Sequence, residues 1–119
     1  MGIQQLGIEG ERAALGFLKE RGFTCFQIDW IAEKNGNYIL IEVKNKERFK
    51  PPPFEGHGLD KYQIEARLKF YKKTGIRPLL LICENDKWIY QWLDILNDKK
   101  YFDTKNGIRI YPIENFIKC

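Results

Sequence analysis

Between Phe26 and Lys46, "FQIDWIAEKNGNYILIEVKNK", strand-forming residues run into Asn35-Gly36 and out again, with charges set among the apolar positions. Asn-Gly between two such runs is the strongest short-range signal for a β-hairpin. Upstream, Gln4 to Arg21 has a helical period with Leu15 and Leu18 on the apolar stripe, and Gly22 ends it. After the hairpin, "KERFKPPPFEGHG" from Lys46 to Gly58 holds three prolines and two glycines, which predicts a long loop without regular structure. Leu59 to Thr74 is a second predicted helix, with Ile64, Leu68 and Tyr71 on one face and Lys61, Arg67, Lys69, Lys72 and Lys73 largely on the others. "RPLLLICEN" predicts a strand buried on both faces. "KWIYQWLDI" alternates, and its Trp88, Tyr90 and Trp92 row is assigned to the core; an exposed row would instead suit a dimer contact. A second Asn-Gly at Asn106-Gly107 predicts a turn before "IRIYPI", and "ENFIKC" is expected to close as a short helix. Helix, hairpin, helix and strands in this order make an α/β or α+β sheet with helices packed on it.

With 119 residues, 44% hydrophobic and 30% charged, the chain reads as one globular domain, residues 1–119, and not as a disordered or fibrous sequence. Twenty Lys+Arg against 16 Asp+Glu give a formal charge of +4, which permits a polyanionic partner without demanding one. No apolar run approaches the ~18 residues of a membrane span, and no secretion signal opens the sequence, so a soluble cytoplasmic protein without membrane contact is expected. Leu6 stands where a myristoylation motif wants Ser or Thr. Cys25, Cys83 and Cys119 lack a CxxC or a histidine cluster and read as reduced thiols.

The hairpin also carries charges. With Asn35-Gly36 as a two-residue loop, Asp29 falls opposite Glu42, and Lys44 lies on the same face by period 2. Two carboxylates held about 5 Å apart repel unless something positive lies between them. A divalent cation fits, because carboxylates are hard oxygen ligands of Mg²⁺. On spacing alone, a solvated surface ladder explains the pattern equally well. Glu11, on the stripe of Leu15 and Leu18, adds a third acid that wants a partner; the bland alternative is a boundary residue paired with Lys44.

At these residues the sequence resembles the PD-(D/E)XK nuclease superfamily, and within it the archaeal-type Holliday-junction resolvases. That group has a Glu in the first helix before a Gly-Phe, then an Asp, then Glu-x-Lys on a strand. Here the pattern reads "GERAALGFLKERGF" with Glu11, "IDWIAEKNGNYILIEVK" with Asp29, and Glu42-Val43-Lys44. The second helix and the strand after it match more loosely. The longer Arg/Ser segment usual between the Gly-Phe and the Asp is missing, since five residues separate Phe23 from Asp29. The resemblance implies a restriction-endonuclease-like α/β core, a central mixed β-sheet flanked by helices. It implies a metal-dependent DNA endonuclease with catalytic Glu11, Asp29, Glu42 and Lys44. Mg²⁺, or Mn²⁺ in its place, would be held by Asp29, Glu42, the Val43 carbonyl and Glu11, giving 5′-phosphate products. It further implies branched or junction DNA as substrate and a homodimer, because a junction needs paired symmetric cuts. The missing segment keeps open a nicking, replication-associated or restriction-type enzyme, and a non-catalytic nucleic-acid-binding module with a vestigial site also remains.

Gln63 matches a position where related nucleases often carry a polar residue. Lys46, Arg48, Lys50, Lys61 and Arg67, with the lysines late in the second helix, are candidate phosphate contacts; solvated helix faces look the same. Phe49, Pro51 to Pro53 and Phe54 suit either a wedge at a branch point or packing of the loop onto the body, the latter favoured. His57, the single histidine, is read as incidental.

Overall fold

The computed structural model describes the backbone of residues 3–23, 25 and 29–119, and the side chains of residues 12–23, 25 and 29–119. Helix α1 (Ile3–Glu20) is followed by strands β1 (Trp30–Lys34) and β2 (Asn37–Asn45). Asn35 and Gly36 have φ of 54° and 82°, the left-handed pair that a tight hairpin turn requires. Lys34 pairs with Asn37 and Trp30 with Ile41, the register expected from the turn. Next come β3 (Gly56–Asp60), α2 (Lys61–Thr74), β4 (Arg77–Glu84) and β5 (Lys87–Trp92). Helix α3 (Leu93–Asn97), β6 (Phe102–Asp103), β7 (Ile108–Pro112), a 3₁₀ turn and β8 (Ile117–Lys118) complete the chain.

Two sheets form, one ordered β1-β2-β4-β5-β8 and one ordered β3-β7-β6. In the larger, β2 and β4 run parallel and the other pairs antiparallel. This is a mixed sheet flanked by helices, a restriction-endonuclease-like α/β core. Parallel strands need a crossover. Here the crossover contains β3 and α2, which is capped by Asp60 Oδ1 accepting from the Tyr62 N–H at 2.8 Å. The core joins Leu80 and Ile82 of β4, Ile89 of β5, Ile64 of α2, Leu93 and Leu96 of α3, Leu59 of β3 and Tyr111 of β7. Each such side chain stabilises the fold by about 1.5–3 kcal/mol on burial.

Several expectations are corrected here. Regular structure resumes at Gly56, so the loop runs only to residue 55, and His57 is a strand residue without exposure. Glycines on either side of it let β3 approach β7. A Cβ at Gly56 would meet the Tyr111 carbonyl oxygen, and one at Gly58 that of Arg109, each at 2.0 Å. Strand β4 buries Pro78, Leu80 and Ile82 fully but leaves the alternate residues half-buried. The register Leu80 to Gln91 and Ile82 to Ile89 turns Ile89 and Gln91 to the core. The aromatic row therefore lies on the other face, and Trp88 is 43% exposed. Gln91 is tolerated inside because its amide donates to the Asn115 carbonyl at 3.0 Å. "LDI" belongs to α3 instead of continuing β5, and the C-terminus is a 3₁₀ turn and an edge strand on β5, not a helix.

Candidate active site

Glu42 and Lys44 sit on β2 opposite Leu80 and Ile82 of β4, so they share the sheet face covered by α2. Glu42 is therefore 3% exposed, a carboxylate at the edge of an apolar core. Asp29 immediately precedes β1, exposed, and reaches Glu42: its charge and its hydrogen-bonding contact both act on the Glu42 carboxyl. Lys44 Nζ lies 3.7 Å from Glu42 Oε1. Asp29 and Lys44 thus each lie near Glu42, Lys44 by the period of β2 and Asp29 from the residue just before the β1-β2 ladder begins. Val43 lies between the last two, with its side chain on the opposite face. Glu11 is in α1, but its side chain lies outside the described residues.

Arg67 completes the site unexpectedly. It is 4% exposed, and its Nε and Nη2 donate to Glu42 Oε2 at 3.2 and 3.0 Å. The expected solvated position on α2 is corrected: Arg67 follows Ile64 by three residues and so falls on the buried side, where only a carboxylate makes a guanidinium tolerable. Burial pushes the Glu42 pKa up, Arg67 opposes this, and Asp29 adds to the rise through like charge. The helical spacing from Ile64 was the one signal in the sequence for this partner.

The other basic candidates divide. Lys50 and Lys61 are exposed, while Gln63 is half-buried near the start of α2. Lys46 is half-buried with its ammonium 4.5 Å from the centre of the Phe49 ring; burial and the neighbouring Lys44 lower its pKa. Arg48 binds Glu84, at the end of β4. In the loop, Phe49 bonds back to Gly56 through both backbone groups, Phe54 lies under Lys100, and Pro51 to Pro53 form an exposed tip. Among the described residues no three His, Cys, Asp or Glu side chains converge on a metal-sized site, and no helix is long and apolar enough to cross a membrane.

The fold is shared with a solved structure, the Holliday junction resolvase Hjc of Archaeoglobus fulgidus, an archaeal hyperthermophile. The match covers 94% of this chain and 90% of that one at a TM-score of 0.56 and 16% identity. At that identity the likeness is one of fold. No protein-family model matches the chain, and no curated protein matches it either.

Proposed function

We propose that the chain is a metal-dependent DNA endonuclease that hydrolyses phosphodiester bonds, structure-specific and resolvase-like in its substrates. The observation that carries this reading is that Glu42 and Lys44 share one face of a restriction-endonuclease-like sheet and that Asp29, just before β1, acts on Glu42. The donors suit a hard divalent cation. Arg67 occupies only Oε2 of Glu42, and Lys44 stands beyond hydrogen-bond length from Oε1, which leaves that oxygen for a ligand role beside Asp29. Asp29, Glu42, the Val43 carbonyl and Glu11 are the proposed ligands of Mg²⁺, or of Mn²⁺ in its place. The ion would lower the pKa of a bound water and stabilise charge on the scissile phosphate. Lys44 offsets the negative charge that develops there, and Lys46, Arg48, Lys50, Lys61 and Gln63 contact the DNA backbone. Because a branched substrate presents paired strands, the active form is a homodimer, and the part-exposed aromatic row of β5 is the face offered to the second copy.

One observation favours a rival. The double hydrogen bond from Arg67 already compensates Glu42, as a non-catalytic nucleic-acid-binding module with a vestigial site would have it. Glu42→Gln separates the two. It keeps side-chain shape and removes a ligand charge, so cleavage in Mg²⁺ should be abolished while DNA affinity in Ca²⁺ is retained or rises. The substrate panel is a four-way junction, a flap, a nicked duplex and a linear duplex, and sedimentation of the wild type reads the dimer. Cleavage by the variant at the wild-type rate rules out this active site. A wild type that binds DNA and cuts none of the panel puts the binding module first.

A further inference from the structure

Past Lys44, a second cluster of charge joins three elements. Glu84 ends β4, Arg48 lies in the loop after β2, and His57 stands in the middle of β3. Glu84 Oε2 is 2.6 Å from His57 Nε2 and accepts from Arg48 Nε at 3.0 Å, while Oε1 accepts from Arg48 Nη2. His57 is fully buried, and its Nδ1 has no hydrogen-bond partner. Burial pushes the His57 pKa down, and Arg48, followed by His57, holds the Glu84 carboxyl at about 2. At neutral pH a neutral imidazole therefore donates from Nε2 to a charged carboxylate, which in turn grips one edge of the guanidinium.

The other edge of that guanidinium is part-exposed and is held more loosely. The Arg48 side chain is 34% exposed, and its Nη1 forms a long ion pair with the exposed Glu55, at 3.6 Å, which a phosphate would displace. The Lys46 N–H donates to the Cys83 carbonyl at 3.2 Å, extending the β2-β4 ladder one step beyond Asn45. Lys44 and Lys46 are thus successive residues on one side of β2, about 6.6 Å apart at the usual strand rise. Lys44, Lys46 and Arg48 form a row of cations leading away from Glu42. A surface arginine is satisfied by water alone. Burying a histidine against a part-buried carboxylate to orient this one has a cost that water would not require.

We propose that Glu84 and His57 are positioning residues, which hold Arg48 to bind a nucleic-acid phosphate beside the one addressed by Glu42 and Lys44. The proposal rests on the nuclease reading for the identity of the polyanion. An arginine fixed along one edge presents its remaining N–H groups in a fixed plane, which suits a phosphate better than a mobile ammonium does.

The test is DNA affinity across a salt series in Ca²⁺, with thermal melting to verify that each variant is folded. Arg48→Ala should reduce the slope of log affinity against log salt by about one. Glu84→Gln discriminates by sign. It removes a negative charge, so bulk electrostatics would tighten DNA binding, whereas the positioning role requires weaker binding with the slope loss of Arg48→Ala. The double variant should bind no more weakly than Arg48→Ala alone. Where Glu84→Gln does not fold, Glu84→Asp keeps the charge, withdraws it from Arg48 and should show the same slope loss. A lower melting temperature with an unchanged slope, or tighter binding by Glu84→Gln, overturns the proposal. Wild-type binding that Arg48→Ala leaves intact overturns it alone; a wild type without affinity for DNA overturns it together with the nuclease reading.

Discussion

Arg67 shows how one buried cation sets the character of a site. Removing it leaves Glu42 inside the protein with Lys44 as its remaining described cationic contact, 3.7 Å away. Breaking a buried pair from one side typically costs about 3–5 kcal/mol. Arg67→Ala is therefore expected to lose stability at the lower end of that range at neutral pH, because Lys44 and protonation of Glu42 offset part of the loss. Glu42→Gln in the Arg67→Ala background should restore much of it. Urea denaturation of the two single variants and the double variant gives the coupling, and additive losses would show that the pair contributes no joint stability.

The loop between β2 and β3 is an element in its own right, closed at its base by the two backbone hydrogen bonds between Phe49 and Gly56. Its aromatic residues pack inward under Lys46 and Lys100, and its prolines stand outward. Replacing Pro51 to Pro53 with a shorter turn leaves the base and the Arg48 clamp in place. On the proposed function this should weaken binding to a four-way junction several-fold more than binding to a linear duplex. Gel-shift titration of both DNAs measures the ratio, and an equal loss on both would mean that the tip supplies only general affinity.

Across the described part of the molecule, acid stability draws on groups whose signs differ: His57, Glu84 and Glu42, with Asp103, held below its usual range by Arg109, acting in the same sense as Glu84. The folded pKa of His57 is lowered by burial, so its contribution to stability is lost as pH falls below the unfolded value of about 6.5. Glu84 is held at about 2, mainly by Arg48, so its contribution is complete above its unfolded value and is lost as pH falls toward 2. Glu42 is raised by burial and works the other way: protonation relieves it as pH falls through its raised value. As pH falls from neutrality the histidine and Glu42 effects oppose each other, and below the unfolded carboxylate value of about 4.3 the Glu84 loss should dominate. Denaturation midpoints against pH should show a steep acid limb in the wild type and a shallower one in Glu84→Gln. Parallel limbs would assign the acid loss to other carboxylates.

What the sequence determined by itself was local. The Asn35-Gly36 turn sets the hairpin register from Lys34–Asn37 to Trp30–Ile41, and period 2 puts Lys44 beside Glu42, with Asp29 one residue before the paired strand. Gly75 ends α2 for an equally local reason, at φ 76°, whereas the predicted start at Leu59 moved to Lys61 because Leu59 and Asp60 pair with β7. Tertiary structure decided which face of each element is buried. The aromatic row of β5 looked like core, yet the pairing of β4 with β5 buried Gln91, whose amide finds a carbonyl only in the folded chain. Arg67 and His57 went inside because their partners, Glu42 and Glu84, are brought within reach only when the β2-β4 crossover closes. A charged residue's burial depends on a partner distant in sequence, and no local pattern of polar and apolar positions encodes that distance.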